Sequence, residues 1–398
     1  MKKYKTLVFY CNKFPSVRGM ALETFYRAIL KIPESYTPSS GFDNFGWVGQ
    51  RIRGSLIGGY TSLGYVNDWR EAFRNHRNLD VKEINILDYI GLLNGFKKIN
   101  SVDLVIILHS ALGDNPGIIK EFSSKFNERK CPLVAFIGNE YDLLDEKKDF
   151  LREVNVNFIA SQLPIAAAKF LYEDISQAKL LSLPHACNPH VYNSSSNDVK
   201  SIDFSFVGAD YPLWLGDSER NDFVRLFSQK LGQSKMLVRT GHGNLAREEW
   251  ARLLVSSRGT IGAEAGTYFL DRQGQLLRLA KEKVMKNDAL NGDYLDLGSF
   301  AKALDIQYVS GKAVSSRHFE ALATRTVQLL VEGEYNSILE PNIHYLAVDK
   351  KFANLHEKVE EFNDPSRRRE VAEAGYQYVM DLHTYEHRVS ELITHVGI

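Results

Sequence analysis

The sequence predicts an α/β protein built from two Rossmann-like, doubly wound domains that face a shared cleft and end in helices. The chain has 398 residues, more than one hydrophobic core usually organises. Short apolar runs alternate with amphipathic segments, a pattern typical of parallel strands joined by helical crossovers. The pattern restarts after a polar stretch near residue 190, so a second domain of the same class follows the first.

Brief apolar runs mark the strands of the first domain. They are apolar on both faces, as expected when helices cover both sides of a parallel sheet. We predict strands at residues 7–10, 104–108, 133–137, 158–160 and 180–183, and helices at residues 21–31, 116–127 and 164–172.

A glycine-rich segment interrupts this pattern at residues 39–67. It holds seven glycines among aromatic side chains, together with Arg51 and Arg53. Long glycine-rich loops in compact domains are usually functional or mobile. Two interpretations stay open: a plain surface excursion, or a loop that closes over a bound acceptor.

The domain boundary is predicted in the polar stretch at residues 190–201, which has the composition of a linker. The first domain then covers residues 1–190, the second covers 191–382, and a terminal helix at 383–398 is free to pack back on the first domain. Asp364 followed by Pro365 is a helix-start signal, and Thr384 is expected to cap the last helix. In the second domain we predict strands at 204–207, 237–239, 260–261, 327–331 and 345–348, and helices at 218–231, 245–254 and 352–362.

Composition restricts the partners and the compartment. The 49 basic and 49 acidic side chains cancel, so no global field favours nucleic acid or an anionic membrane. Three widely spaced cysteines argue against a disulfide framework and for the cytoplasm. No apolar stretch is long enough to cross a bilayer and none has the form of a signal peptide, so we expect at most peripheral membrane contact.

A phosphate-binding position is predicted after the strand at 204–207. Gly208 would allow a diphosphate to approach the backbone closely, and Arg220 lies near the start of the following helix, where a phosphate is favoured. The alternative is that Arg220 is an ordinary solvated surface charge.

A second position lies between Lys312 and Ala321. Ser316 is the expected N-cap of a short helix, and Glu320 follows in its early turns, where a carboxylate can accept both hydroxyl groups of a ribose. The alternative is an acid that only complements the helix dipole.

Several segments together resemble the C-terminal domain of CgeB-like glycosyltransferases of the GT-B fold. The resemblance runs from about residue 183 to 398 and depends on the order and spacing of the segments. They are Leu183-Pro184-His185-Ala186, residues 203–212, Phe319-Glu320-Ala321, Leu339-Glu340-Pro341-Asn342-Ile343-His344-Tyr345, Ala374-Gly375 and His383-Thr384-Tyr385-Glu386-His387-Arg388.

The resemblance implies a nucleotide-sugar donor held mainly by the C-terminal domain and an acceptor held mainly by the N-terminal one. Glu320 matches the second Glu of the Glu-x7-Glu pattern of many retaining GT-B enzymes, which binds the ribose. Lys312 stands where the first Glu would be, which puts the role of that Glu in doubt and leaves the stereochemical outcome open, with retention favoured. The donor-binding residues are then Gly208, Arg220, Lys312, Arg317 and Glu320.

Three residues are candidates for catalysis. His109 ends a strand that resembles the one carrying a sugar-contacting His in related GT-B enzymes, and Glu140 follows the next strand. Glu264 lies in a glycine-flanked loop after the strand at 260–261. Each has a structural alternative: a His satisfied by a neighbouring carbonyl, an acid without a chemical role, and a turn that buries Tyr268 and Phe269.

The predicted function is transfer of a glycosyl group from a nucleoside diphosphate sugar to a hydroxyl of a glycan or lipid-linked glycan, in cell-surface polysaccharide synthesis. No metal is expected, because His185, Cys187 and His190 have no matching second cluster and no Asp-x-Asp step ends a strand. No cofactor beyond the donor is expected. The alternatives are a noncatalytic nucleotide- or sugar-binding GT-B module and a GT-B nucleotide-sugar epimerase.

Overall fold

The computed structural model describes residues 3–11, 64–113, 116–195, 198–230, 236–240, 245–286 and 294–398. The predicted helix at 21–31 and residues 39–63 of the predicted glycine-rich loop lie outside the described residues. Contacts divide the chain into two compact units. Unit 1 comprises Met1–Ser161, Tyr172–Leu181 and Ile393–Ile398, and unit 2 comprises Gln162–Leu171 and Ser182–Leu392. The domain boundary at residue 190 stays a prediction.

Unit 1 is built on a sheet of six strands in the order β2-β1-β3-β4-β5-β6. Its strands are β1 (Tyr4–Tyr10), β2 (Leu79–Asn85), β3 (Leu104–Ile107), β4 (Leu133–Phe136), β5 (Phe158–Ser161) and β6 (Lys179–Ser182). The helices described in this half of the chain are α1 (Gly64–Asn75), α2 (Tyr89–Phe96), α3 (His109–Leu112), α4 (Gly117–Lys120), α5 (Ser123–Phe126), α6 (Leu144–Glu153) and α7 (Ile165–Tyr172).

The core of unit 1 follows from the apolar strands. Strands β1 to β5 pair in parallel, and every residue of β3 and β4 is buried. Phe9 of β1 packs on Phe96 and Phe126, with ring centroids 5.4 and 5.0 Å apart. Helices therefore cover both faces of these strands, as their unbroken hydrophobicity predicts.

Two predictions for unit 1 need correction, and one strand was missed. Residues 64–67, expected in the glycine-rich loop, begin α1, because Val66, Trp69 and Phe73 are buried at helical spacing. The helix predicted at 116–127 is two short helices, since Phe122 leaves the helical conformation (φ −110°, ψ 16°) and stacks on Phe96. Strand β2 was not predicted.

Unit 2 contains a five-stranded sheet in the order β13-β12-β9-β7-β8, with every neighbouring pair parallel. The short strands β10 (Leu270–Asp271) and β11 (Tyr308–Val309) pair separately in antiparallel fashion. The sheet strands are β7 (Ile202–Gly208), β8 (Met236–Thr240), β9 (Ser257–Gly262), β12 (Val327–Val331) and β13 (Leu346–Val348). The helices are α8 (Glu219–Lys230), α9 (Arg247–Ser256), α10 (Gln275–Lys286), α11 (Leu297–Ala303), α12 (Ser316–Ala323), α13 (Leu355–Asn363), α14 (Pro365–Leu382) and α15 (Tyr385–Val396).

The central strands of unit 2 supply side chains to two hydrophobic cores. In β12, Val327, Leu329 and Val331 enter one core, and Leu330 enters the other. This alternation is the two-residue period of a strand with both faces covered. Tyr192, inside the stretch expected to be a linker, is buried in the second of these cores.

Both sheets reverse their direction of growth at one point. In unit 1 the reversal lies between β1 and β3, and in unit 2 it lies between β7 and β9. Successive crossovers leave such a point on opposite faces of the sheet, which opens a crevice at the carboxyl ends of the two strands, where ligands of doubly wound proteins bind. The doubly wound α/β class predicted from the sequence is confirmed. In unit 2 the expected ligand position is at the carboxyl ends of β7 and β9.

The two closing helices start as predicted. Asp364 precedes Pro365, and its Oδ1 atom accepts a hydrogen bond from the backbone N–H of Ser366 at 2.8 Å. Thr384 precedes α15, and its hydroxyl oxygen accepts from the backbone N–H of His387 at 3.3 Å. Among the described residues, no helix has both the length and the apolar composition needed to span a membrane.

The cap of α14 provides a direct test of the fold's local energetics. We expect Asp364→Ala to lower the free energy of unfolding by about 1 kcal/mol, because the first turn of α14 loses its side-chain acceptor. Urea denaturation measures the change. Asp364→Asn keeps an acceptor and is the matched control, so equal losses in both variants would contradict the capping role.

Candidate functional site

Two arginine side chains converge on the carboxyl end of β7. Arg317, in the first turn of α12, donates through Nη1 to the carbonyl oxygen of Val207. Arg220, in the first turn of α8, donates through Nη2 to the carbonyl oxygen of Ala209. The two guanidinium groups therefore flank Gly208, at the reversal point of the sheet. The structure brings together three of the residues predicted to bind a donor.

Gly208 lies against one of these arginines. A Cβ atom at this position would stand 3.1 Å from Cζ of Phe206 and 3.5 Å from Nη1 of Arg317. A side chain larger than a methyl group would therefore displace the guanidinium group. Glycine leaves the backbone and the arginine accessible to the same ligand, as the sequence predicts.

The positive charges of Arg220 and Arg317 repel each other. Arg317 stays exposed to solvent, yet desolvation by the surrounding atoms lowers its pKa. Glu320 raises this pKa and the positive charge of Arg220 lowers it again, with a downward net shift. Within the described part of the chain, the buried Nε atom of Arg220 has no hydrogen-bond partner. An anion near Gly208 would relieve the repulsion between the two like charges.

Glu320 lies in the same helix as Arg317 and is buried. Its Oε2 atom accepts a hydrogen bond from Nε1 of Trp250 at 2.7 Å, and the Ser316 hydroxyl also donates to the carboxylate. Burial raises the pKa of Glu320 more than these bonds and the Arg317 charge lower it. Each carboxylate oxygen has two lone pairs, so the group retains capacity for a ligand hydroxyl.

The helix α12 begins one residue earlier than predicted. Its N-cap is Ser315, not Ser316, and the ring Nδ1 of His318 accepts a hydrogen bond from the backbone N–H of Ser315 at 2.9 Å. Burial lowers the pKa of His318 to about 4, so the ring is neutral at physiological pH and can act as this acceptor. The reciprocal cap satisfies the start of the helix and places Arg317 in its first turn.

Lys312 occupies a buried ion pair. Its Nζ atom lies 2.7 Å from Oδ2 of Asp217 and 3.3 Å from Oε2 of Glu219. It also lies 4.9 Å from the centroid of the Tyr268 ring, whose hydroxyl donates to Oε1 of Glu219 at 3.0 Å. Lys312, predicted to contact a diphosphate, is thus engaged by two carboxylates of unit 2.

Glu264 follows β9 and holds the turn after β12. Its Oε1 atom accepts from the backbone N–H of Tyr335 at 2.7 Å. A Cβ atom at position 333 would stand only 2.4 Å from its Oε2, so Gly333 permits this close packing. The residues Tyr335, Asn336 and Ser337 all have positive φ angles, a costly conformation that the carboxylate helps to impose. The geometry shows a structural role, and a catalytic one stays a prediction.

His109 begins the short helix after β3 in unit 1. The residue is 2% exposed and lies among aromatic rings, with centroid distances of 5.7 Å to Trp69 and 5.0 Å to Phe136. A Cβ atom at Gly138 would approach the Cβ of His109 to 3.2 Å. The imidazole is therefore packed tightly at the reversal point of the first sheet.

Glu140 is buried in unit 1 and serves as an acceptor for two hydroxyl groups. Its Oε1 atom accepts from Ser161 Oγ at 2.7 Å and from the Tyr172 hydroxyl at 2.9 Å. Burial raises the pKa of Tyr172 well above its ordinary value, and the Glu140 carboxylate adds to the shift. The carboxylate therefore connects β5 to the end of α7.

A buried lysine that sequence reasoning missed holds the loop around Glu140. The Nζ atom of Lys147 donates to the carbonyl oxygens of Gly138, Asn139 and Asp142 at 2.7, 2.9 and 2.7 Å. Lys147 is fully buried. An ammonium group has three donors, and these three acceptors match them.

Four further residues of the unit 2 site were not predicted: Asp217, Glu219, Trp250 and Tyr268. Asp217 and Glu219 lie beside Arg220 in sequence, so their proximity to the site follows from the same helix start. The pairing of Trp250 with Glu320 spans 70 residues and has no local signal. Across the described residues, no group of three or more His, Cys, Asp or Glu side chains is arranged to hold a metal ion.

The C-terminal part of the chain matches one protein family. Residues 286–394 match the family model described as "Glycosyl transferase-like", a region that includes Arg317 and Glu320 and covers well under half of the chain. No curated protein sequence matches the chain significantly.

Several solved structures are similar to this chain at low sequence identity. An α-glucosyltransferase in complex with UDP-glucose and DNA containing an abasic site is similar over 100% of both chains, with 10% identity and a TM-score of 0.56. The T4 phage BGT in complex with UDP-glucose covers 100% of both chains at 10% identity and a TM-score of 0.48. The Anabaena protein HepE in complex with UDP covers 98% of this chain and 100% of its own, at 9% identity and a TM-score of 0.45. The parallel sheets of the two units and the likeness to the α-glucosyltransferase show that the chain has the GT-B fold, with two Rossmann-like units.

The hydrogen bonds of Glu140 generate a stability prediction. We expect Glu140→Ala to lower the free energy of unfolding by about 2–3 kcal/mol, because two buried hydroxyl groups lose a charged acceptor. Tyr172→Phe removes only one donor, and we expect it to cost about 1 kcal/mol. Urea denaturation of the two variants measures both losses. A Glu140→Ala variant as stable as the wild type would refute the structural role.

Proposed function

We propose that this protein is a glycosyltransferase that moves a sugar from a nucleoside diphosphate sugar to a hydroxyl group of a glycan acceptor. The observation that carries the proposal is the pair of guanidinium groups, from Arg220 and Arg317, beside Gly208 at the reversal point of the second sheet. The match of residues 286–394 to a glycosyl transferase-like family supports it.

A diphosphate suits the charge and the shape of this position. Two nearby guanidinium groups present forked donors that fit phosphate oxygens, and the buried Nε of Arg220 supplies one more. Both arginines stand in first turns of helices, where backbone dipoles favour an anion. A bound diphosphate would thus offset the repulsion between the two guanidinium groups.

The nucleoside is placed by Glu320. Its buried carboxylate is held in position by Trp250 and Ser316, and it lies within one helical turn of Arg317. A carboxylate one helical turn from Arg317 can accept hydrogen bonds from the two ribose hydroxyls while the arginine binds the diphosphate. Because Glu320 resembles the ribose-binding Glu of retaining GT-B enzymes, we include retention of configuration in the proposal.

In the proposed reaction the bond between the sugar's anomeric carbon and the diphosphate breaks, and an acceptor oxygen forms the new bond. The acceptor hydroxyl releases its proton to bulk water, and the nucleoside diphosphate leaves with one additional negative charge. Arg220 and Arg317 stabilise this charge, which makes them the transition-state donors of the site. The proposal assigns this task to the arginines instead of a metal ion.

The biological setting is also part of the proposal. The CgeB-like resemblance of residues 183–398 suggests a glycan or lipid-linked glycan acceptor in cell-surface polysaccharide synthesis. Among the described residues, Cys11, Cys131 and Cys187 form no disulfide, which fits a reducing cytoplasm. At the membrane we propose peripheral association at most.

Binding of nucleoside diphosphates tests the proposal. UDP is the first probe, because the α-glucosyltransferase of similar fold was solved with UDP-glucose. We expect Arg220→Met and Arg317→Met each to weaken UDP binding by roughly 10- to 100-fold, the loss of a charge-assisted hydrogen bond. Isothermal titration calorimetry measures the affinity.

The control variant is Arg225→Met, which removes an arginine from the same helix as Arg220. Arg225 has a side chain 72% exposed and forms a surface ion pair with Asp222, so we expect unchanged affinity. If wild-type protein binds neither UDP nor any other nucleoside diphosphate at millimolar concentration, the transferase proposal fails. If it binds UDP-sugars but neither hydrolyses nor transfers them, the noncatalytic module replaces it.

A further inference from the structure

The loops that precede the two arginine-bearing helices are joined by one buried ion pair. The Nζ atom of Lys312 lies 2.7 Å from Oδ2 of Asp217, and the two side chains are 2% and 1% exposed. The pair connects positions 95 residues apart in sequence. Asp217 stands just before α8 and Arg220, and Lys312 stands just before α12 and Arg317.

Asp217 also determines where α8 begins. Its Oδ1 atom accepts a hydrogen bond from the backbone N–H of Glu219 at 3.0 Å, while its Oδ2 atom accepts from Lys312. One carboxylate thus fixes the first turn of the helix and ties that turn to the second loop. Any displacement of Asp217 moves the first turn of α8, which contains Arg220.

The second loop is equally constrained at its own end. Ala313 pairs with Ala265 in an antiparallel bridge, and the backbone N–H of Val314 donates to Oδ1 of Asn336 at 2.8 Å. The backbone next to Lys312 is therefore held in place, and the Lys312 side chain connects it to Asp217.

The charge of Lys312 is already matched inside the protein. Burial lowers its pKa, but Asp217 and Glu219 raise it, and the net shift is upward. The ammonium group stays protonated at neutral pH and is engaged by two carboxylates. A ligand phosphate would have to compete with both of them.

We propose that the Lys312–Asp217 pair is a positioning device that sets the separation of Arg220 and Arg317. Lys312 then acts on a diphosphate through the two arginines and not by contact. The inference rests on the proposed function, because the two arginines are the diphosphate ligands there.

The two possible roles of Lys312 differ in what Asp217 does. If Lys312 contacted the diphosphate, Asp217 would compete with the ligand, so Asp217→Asn would leave UDP affinity unchanged or increase it. If the pair positions the arginines, Asp217→Asn and Lys312→Met both weaken binding. Asparagine retains a side-chain oxygen for the Glu219 N–H, so Asp217→Asn tests the ion pair without removing the cap.

The experiment is a double-mutant cycle on UDP affinity, measured by calorimetry with wild type, Lys312→Met, Asp217→Asn and the double variant. We expect each single variant to bind UDP about tenfold more weakly. The double variant should bind no more weakly than the worse single variant, because neither Lys312 nor Asp217 is then left charged without the other. UMP binding is measured in parallel, because UMP carries one phosphate and UDP carries two. The comparison of the two affinity losses separates an effect on one phosphate from an effect on the whole site.

The control is Lys358→Met, which removes a mostly buried lysine paired with Glu361 at 2.8 Å elsewhere in unit 2. It should change thermal stability without changing UDP affinity, so a purely structural loss is recognisable. If Lys312→Met does not fold, Asp217→Asn alone decides between contact and positioning. Unchanged or tighter UDP binding by Asp217→Asn overturns the inference, whereas a wild type that binds no nucleoside diphosphate overturns the proposed function itself.

Discussion

Two like charges held at the end of one strand are the constraint around which the second unit is organised. Strand β7 lies inside the sheet, between β8 and β9, so it is paired along both of its edges. The carbonyl oxygens of Val207 and Ala209 anchor the guanidinium groups but carry only partial charges. The fold therefore holds two positive charges close together, whereas a flexible chain would let them separate. A site held in this way is preorganised for an anion.

Local sequence patterns predicted the elements that depend mainly on neighbouring residues. The strand Val327–Val331 and the helix start at Asp364-Pro365 were predicted at their observed positions, because each depends on neighbours along the chain. Strand β2 was missed because it is the edge of its sheet, and its sequence LDVKEIN mixes charged and apolar residues. An edge strand contacts solvent, so it lacks the unbroken apolar run by which the other strands are recognised.

In the candidate site, too, local sequence indicated the positions of residues but not their tertiary partners. Gly208, Arg220 and Arg317 were predicted at a strand end and at helix starts, and the structure brings these three together at the end of β7. Their role in binding a donor stays a prediction. The partners of these groups are set by tertiary folding and leave no mark in the local sequence. Asp217 meets Lys312 across 95 residues, and Glu140 meets Ser161 and Tyr172 across 21 and 32. A residue type can therefore be predicted at a site without revealing whether its charge is available to a ligand.

Lys147 illustrates what a buried charge contributes when it donates to backbone oxygens. Its ammonium group occupies the place that a bound monovalent cation would take in a loop of converging carbonyls. A cation supplied by solution exchanges with the medium, whereas this one is covalently tethered to α6. The three carbonyl oxygens of the loop at residues 138–142 therefore have a cationic partner that the chain itself supplies, and no free ion has to lose entropy to provide it.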